Sequence, residues 1–503
     1  MSETKQEPMP ATGEDLIVGC DTAQQPDKAV VSDSSVPSND AEANSPLRDP
    51  DTPPPPPNGG YGWVCTACVS IINGHTWGLN SSYGVFLAHY LAEDVFPGAT
   101  ALEYAFVGSL SVSCAFAVSP LATIATRELG TKPTMLFGVV AEAASLILAG
   151  WATQIWHLFL TQGILFGIGM GFIFVPSVGI VPQWFTTKRS LANGFSACGS
   201  GLGGVLYSFA AGAIIQNMGL NWAFWILGIL AFVVNTACTL LIKDRNKIIG
   251  SRQLAFDFEL FTRIEYLLLL AFGWFSMLGY IVLIFSLANY ARVIGLGPSE
   301  AALISAIFNL GQGVGRPFVG YFSDRTGRIN MAAGLTFVTG VLALAIWINA
   351  HTYGVLIFFA FIGGTVAGTF WAVVGPVTAE VVGLQAVPSA LNLTWLVILL
   401  PCTFSQPIAM QLVEATGSYL PTQIWTGLMY IVAALCLCIV RGWKIIDNAK
   451  LKAQELEQAE EVTAPSHTNG NTTDSGATAT EADQVPHHTK MRMLVECWKW
   501  KKV

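Results

Sequence analysis

Asn309, Gln312 and Arg316 stand at i, i+3 and i+7 inside an otherwise apolar stretch, a spacing that puts all three on one face of a helix. A guanidinium at membrane depth is costly, and such charges face a bundle interior or a water-filled cavity. The planar fork of Arg316 suits two-point capture of a carboxylate, with Gln312 and Asn309 as further hydrogen-bonding groups. The same arginine would also serve as a structural cation against helix ends beside a gate. Glu142, in the middle of another apolar stretch, is the second charge at depth. It is a protonated carboxyl, a proton carrier or a group near enough to water to ionise. His75 titrates close to neutrality in its ordinary state, so it is the other candidate for carrying a proton, against the plainer reading of a neutral packed histidine.

Asn73, Thr76 and Asn80 repeat the same spacing on the first apolar stretch. They form either a ligand-binding stripe or hydrogen bonds between helices. Tyr207 (with Ser196 and Ser200 a few turns earlier), Trp371 (beside Phe370) and Asn392 (one turn before Trp395) add amphipathic groups suited to an organic ligand. Cys65 and Cys68 form a C-x-x-C, read as packing because it sits in an apolar helix with no partner ligands, and no His, Asp and Glu cluster has metal-binding or catalytic spacing, so neither a metal, a cofactor nor an enzymatic activity is expected. Gly199, Gly201 and Gly204 match a dinucleotide-binding pattern in spacing alone, with no preceding strand and no acid at the required distance. Glycines 163, 167, 171, 199, 203, 311 and 315 are read instead as faces that allow close helix approach. No phosphate-binding G-x-x-x-x-G-K-[ST] loop occurs, so uphill movement of a solute must draw on another gradient.

The elements that must hold these groups follow from composition. Of 503 residues, 52% are hydrophobic and 12% charged, a balance that excludes a secreted disulfide domain, a basic nucleic-acid binder and an ordinary soluble enzyme. Between Tyr61 and Val440 the chain reads as twelve apolar stretches, each near the ~20 residues that cross a bilayer core as helix. With both termini placed in the cytoplasm, 23 of the 25 Lys and Arg fall on the cytoplasmic side, the exceptions being Arg292 and Arg316. The longest internal break falls after the sixth stretch. The expected architecture is therefore an all-α membrane protein of twelve transmembrane helices in two six-helix pseudo-symmetric halves, 58–242 and 266–440, joined by a cytoplasmic linker at 243–265. Residues 1–57 carry eleven acids against three bases and a run of five prolines, and are expected as a disordered cytoplasmic tail. Residues 441–503 are expected as a cytoplasmic C-tail, with a surface helix over 443–461. The ten cysteines lie in spans or tails and predict no structural disulfide.

One polar loop stands out from simple solvation. Asp324, in Gly320-Tyr-Phe-Ser-Asp-Arg325-Thr-Gly327-Arg328, lies on the same side as the start of span five at Ser190, where the helix N-terminus is partly positive and Lys188 and Arg189 stand beside it. These five charged residues, Asp324, Arg325, Arg328, Lys188 and Arg189, are the candidate gate: a carboxylate seated there would hold the cytoplasmic side closed.

That loop resembles the signature of the major facilitator superfamily, and a twelve-span, two-half fold is what the resemblance implies. More narrowly, Asn58-Gly-Gly-Tyr61-Gly-Trp63, the segment from Trp184 to Gly194, and Gly315-Arg316-Pro317-Phe-Val-Gly320 resemble three segments of the monocarboxylate porter family, closest to its fungal branch. The opening motif usually begins with Asp or Glu, where this chain has Asn58. The resemblance covers roughly residues 58–440. It implies secondary active transport of a small organic solute, a monocarboxylate or another anionic metabolite, by alternating access in the plasma membrane, with proton co-transport. Where animal members carry an Asp one turn before the arginine and a Lys in span one, this chain has Gln312 and Asn80. A coupled proton would then use Glu142 or His75; otherwise the carrier is a facilitator or exchanger. Export of a secondary metabolite, riboflavin-type uptake and a non-transporting sensor on the same fold stay open beside it. The partners expected are the solute and the lipid bilayer, with no nucleic acid.

Overall fold

The structure, a computed structural model, describes residues 56–463, and among them every regular element is helical. Twelve helical passes follow one another: span one over 61–93, span two over 101–129, then Thr131–Ala149, Ile155–Gln183, Arg189–Met218 and Leu220–Leu241. After the linker come Ile264–Val293, Pro298–Thr326, Arg328–Trp347, Tyr353–Val382, Val387–Thr416 and Leu420–Thr463. The expectations for 1–55 and 464–503 lie outside the described residues. The surface helix expected over 443–461 is the direct continuation of span twelve, whose Arg441 Nε donates to Asn330 of span nine.

Nine of these passes are long and apolar enough to cross a bilayer as single helices, and a tenth is the pair Phe106–Ala117 and Ser119–Leu129, bent by 43°. The other two depart from that description for identifiable reasons. Span one changes to a π-helical turn at Gly74–Gly78 and breaks again at Ser82. Span eight carries Asn309, Gln312, Arg316, Asp324 and Arg325 along its length. The two spans least like lipid-facing helices are thus among those that hold the candidate chemistry, the pattern expected where helices line a site.

Tight turns recur at matching places in the two halves. Gly130 between spans two and three has φ 93°, and Gly327 between spans eight and nine has φ 103°. Gly219 between spans five and six has φ 96°, and Gly417 between spans eleven and twelve has φ 66°. A side chain at such φ is strained, so glycine lets one helix end and the next begin after one residue at Gly130, Gly219 and Gly327 and after three at Gly417.

The halves meet along two seams. Spans five and eight pack closely because glycines remove side chains from the contact: a Cβ on Gly201 would lie 2.7 Å from Gly313 N and 2.8 Å from Asn309 O. Gly194 and Gly320 likewise sit on the backbone oxygens of Arg316 and Ser190. Gly203, further round span five, packs on Gly74 of span one. Spans two and eleven form the other seam, where the hydroxyls of Ser113 and Thr403 lie 2.8 Å apart and Phe116 stacks on Trp395 at 5.9 Å. The linker first binds one half, through Arg245 Nη1 to Gln183 O (3.0 Å), and then the other, through Arg252 N to Gln385 O (2.7 Å) and Leu254 N to Ser389 Oγ (2.9 Å).

Candidate functional site

Arg316 lies on the five–eight seam, 4% exposed. Span eight carries it, and span five supplies half of its partners. Nη1 donates to Ala197 O at 2.7 Å and to Ser200 Oγ, while Nη2 donates to Gln312 Oε1 at 2.6 Å and to the Tyr280 hydroxyl at 3.2 Å. Tyr280 in turn donates to Gln312 Oε1 at 2.6 Å, and Gln312 Nε2 reaches Asn309 Oδ1 at 3.3 Å, which joins the i, i+3, i+7 triad into one chain of contacts. Every one of these partners is neutral. Among the described residues no acidic side chain pairs with Arg316, and its Nε is buried without an acceptor. A buried cation left with dipoles alone keeps much of its desolvation cost, and an anionic ligand would offset it.

Next to the arginine lies a cluster of rings drawn from both halves. Tyr280 approaches Trp371 at 6.2 Å between centroids, and Trp371 stacks on Trp395 at 6.0 Å and 15°. From the first half, Trp77 meets Trp371 at 5.7 Å, Phe116 meets Trp395 at 5.9 Å and Phe174 meets Trp395 at 5.2 Å. Spans one, two, four, seven, ten and eleven thus converge on one aromatic centre.

The remaining expected ligand-binding residues are dispersed. Asn73 Nδ2 donates to Ser196 O of span five (2.8 Å), whereas Asn80 accepts from Ser111 Oγ of span two (2.8 Å). The π-helical turn between them inserts an extra residue and rotates the helix, so the face predicted from spacing is split between two neighbours. Tyr207 shares a hydrogen bond with His75 Nδ1 between spans five and one. Glu142 accepts from Asn235 Nδ2 at 2.9 Å between spans three and six, 1% exposed, with Oε1 lacking a partner. Asn392 lies nearer the linker face, donating to Ala255 O of the linker at 2.5 Å. Among the described residues no group of three His, Cys, Asp or Glu could hold a metal ion.

The gate residues meet at the face that carries the linker. Asp324 accepts from two free backbone N–H groups in the first turn of span five, Ser190 N at 3.0 Å and Leu191 N at 2.9 Å. Arg328, brought back by the Gly327 turn, donates to Asp324 Oδ1 at 3.1 Å, to Glu380 Oε1 of span ten at 2.6 Å and to Thr186 O. Arg189 is buried and donates to Phe185 O at 2.9 Å. Lys188 is exposed, and Arg325 lies over the Tyr321 ring at 4.3 Å. Asn58 joins the same region, its Oδ1 accepting from Thr186 N and Thr187 N, both at 3.1 Å. Of the five residues expected as a gate, Asp324 and Arg328 make the contacts that cross between the halves at this face.

Comparison with known proteins gives this architecture its family. A family model described as Major Facilitator Superfamily matches residues 66–256 and 267–477. The chain belongs to the major facilitator superfamily. It is 32% identical over 413 residues to the Saccharomyces cerevisiae protein named "Probable transporter MCH2", covering 80% of this chain and 87% of that one. It is 25% identical over 410 residues to the "Fujikurins efflux protein" of Gibberella fujikuroi, covering 78% and 85%. In fold it is similar to the Escherichia coli fucose:proton symporter, with a TM-score of 0.59 at 12% identity, covering 76% of this chain and 98% of that structure.

Several groups in this major facilitator chain carry little signal in sequence. Tyr280, Trp77, Phe116 and Phe174 read there as ordinary apolar residues of their spans. Asn193, whose Nδ2 donates to Ala372 O of span ten at 2.7 Å, ties the halves beside the site. Glu380 had a usable signal, an acid at the end of span ten on the face where the bases gather.

Proposed function

We propose that this chain is a secondary transporter of a small organic anion, a monocarboxylate in the first instance, bound between the halves at Arg316 with Gln312, Asn309, Tyr280 and Trp371. The observation that carries this reading is the buried guanidinium whose partners are all neutral. A carboxylate accepts two parallel N–H groups from such a fork, a geometry that a neutral solute reproduces poorly. In this reading the linker face is cytoplasmic in the plasma membrane, and the contacts of Asp324 with Ser190 N and Leu191 N and of Arg328 with Thr186 O hold the state that is closed to the cytoplasm. Alternating access then consists of breaking them while the opposite ends of the halves come together. Asn73, Asn80, Tyr207 and Asn392 act in this scheme through helix contacts around the site. His75 with Tyr207, and Glu142 with Asn235, are the candidate proton carriers in the first half.

The test is uptake of labelled pyruvate by vesicles containing the full-length protein, with and without an inward proton gradient, against Arg316→Gln. Saturable uptake that falls at least 30-fold in the variant supports the reading; uptake indifferent to Arg316 removes it. A second reading, export of a larger metabolite, is favoured by the efflux name of a relative that matches most of the chain. Transport of such a compound with no pyruvate flux under either gradient would replace the first reading by the second.

A further inference from the structure

We infer that the anion held at Arg316 is attached to a flat aromatic body, so that the preferred substrates are aromatic monocarboxylates whose ring stacks among Trp77, Trp371 and Trp395. The inference rests on the anion reading above and adds to it the class of the substrate's other end.

The rings are unusual as core packing because of where they come from. The rings are shared between the two halves, which must part during transport. Here Trp77, Phe116 and Phe174 come from spans one, two and four, while Tyr280, Trp371 and Trp395 come from spans seven, ten and eleven. Each rocking motion that opens a seam therefore parts ring from ring and leaves indole faces at the binding level. A planar substrate replaces ring–ring contacts with ring–substrate contacts of the same kind, whereas a short aliphatic acid contributes only area. The cluster is joined to the arginine through one residue: Tyr280 accepts from Arg316 Nη2 at 3.2 Å and its ring stands 6.2 Å from Trp371. A carboxylate on the guanidinium thus has its attached body directed along Tyr280 toward Trp371. Two indole N–H groups there, Trp77 Nε1 and Trp395 Nε1, are buried without an acceptor among the described residues, although buried indoles usually find one. They suit a substrate that also carries an oxo or hydroxyl oxygen. Stacking on two faces corresponds to roughly 5- to 100-fold in selectivity over an aliphatic acid of similar bulk.

The experiment compares three 2-oxo acids with the same head, pyruvate, 4-methyl-2-oxopentanoate and phenylpyruvate, as substrates of the full-length protein in vesicles, reading kcat/KM. The expected result is phenylpyruvate at least tenfold above 4-methyl-2-oxopentanoate, with the ratio falling below threefold in Trp371→Leu and kept in Trp371→Phe. Should Trp371→Leu fail to reach the membrane, the Trp371→Phe ratio and inhibition of pyruvate uptake by phenylpyruvate in the unaltered protein decide the matter. Aliphatic acids carried as well as phenylpyruvate, with flux still dependent on Arg316, would overturn the aromatic assignment and leave the anion reading standing. Absence of flux for all three would overturn both.

Discussion

Replacing Asp324 by Asn tests whether the linker-face contacts set the conformational balance. The carboxylate accepts two backbone N–H groups at the start of span five and one guanidinium N–H from Arg328, with its side chain 9% exposed. An amide keeps one acceptor oxygen but turns an NH2 toward a donor, so at least one charge-assisted bond is lost outright, at about 1.5–3 kcal/mol. Loss of the negative charge at the helix N-terminus adds about 0.3–1 kcal/mol. Together the closed arrangement loses about 2–4 kcal/mol, which multiplies the open population by roughly 30- to 700-fold at 1.4 kcal/mol per decade. The contacts to Ser190 N and Leu191 N exist only while the halves meet at this face, so their loss falls on the closed state, whereas the Arg328 contact lies within one half. The reporter is Ser190→Cys in a background without other cysteines, since Ser190 is fully buried under Gly320 of the other half. Its rate of modification by a membrane-impermeant maleimide, applied from the linker side, follows the open population while that state is rare. Asp324→Asn should raise that rate by at least 30-fold and slow net transport. A rate unchanged within twofold, in protein of normal thermal stability, would refute the idea that these contacts hold the gate.

Three further outcomes follow from the packing. Gly201→Ala places a methyl 2.7 Å from Gly313 N, so the five–eight seam must part at a cost of about 1–3 kcal/mol; the melting temperature should fall and transport with it, and normal values for both would contradict the close-seam argument. Glu142→Gln keeps the acceptor for Asn235 Nδ2 but removes the ionisable group; if Glu142 carries the proton, concentrative uptake under a pH gradient is lost while solute exchange at equal pH continues. Asn58→Ala removes the acceptor for Thr186 N and Thr187 N and should destabilise by about 1–2 kcal/mol in thermal unfolding, whereas Asn58→Asp, which keeps the acceptor, should not.

What could be read from the chain alone was whatever depends on hydropathy, charge and local spacing. Lipid demands about twenty apolar residues per helix, so an all-helical fold of twelve passes between Tyr61 and Val440 was legible without coordinates. An arginine in an apolar stretch is rare enough to announce itself, and a helix without interruption keeps its period, so Asn309, Gln312 and Arg316 do form one connected face. The contact of Asp324 with the start of span five was legible for the same reason: the carboxylate needed only a helix N-terminus nearby, and Ser190 and Leu191 supply it.

Spacing stopped being informative where the helix itself changed period. The π-helical turn at Gly74–Gly78 sends Asn73 toward span five and Asn80 toward span two, which no count of residues along an ideal helix would show. Which residues pair across distant parts of the chain was also not written in the spacing. Ser200 is one of four serines in span five until Arg316 reaches it across the seam, and Glu380 is an isolated acid until Arg328 bridges to it. The aromatic centre is the clearest case, because tryptophans and phenylalanines are common in any membrane helix and each looks like packing on its own. Only the tertiary structure decides which six spans converge, since that depends on how the two halves close on each other and not on the pattern along any one helix.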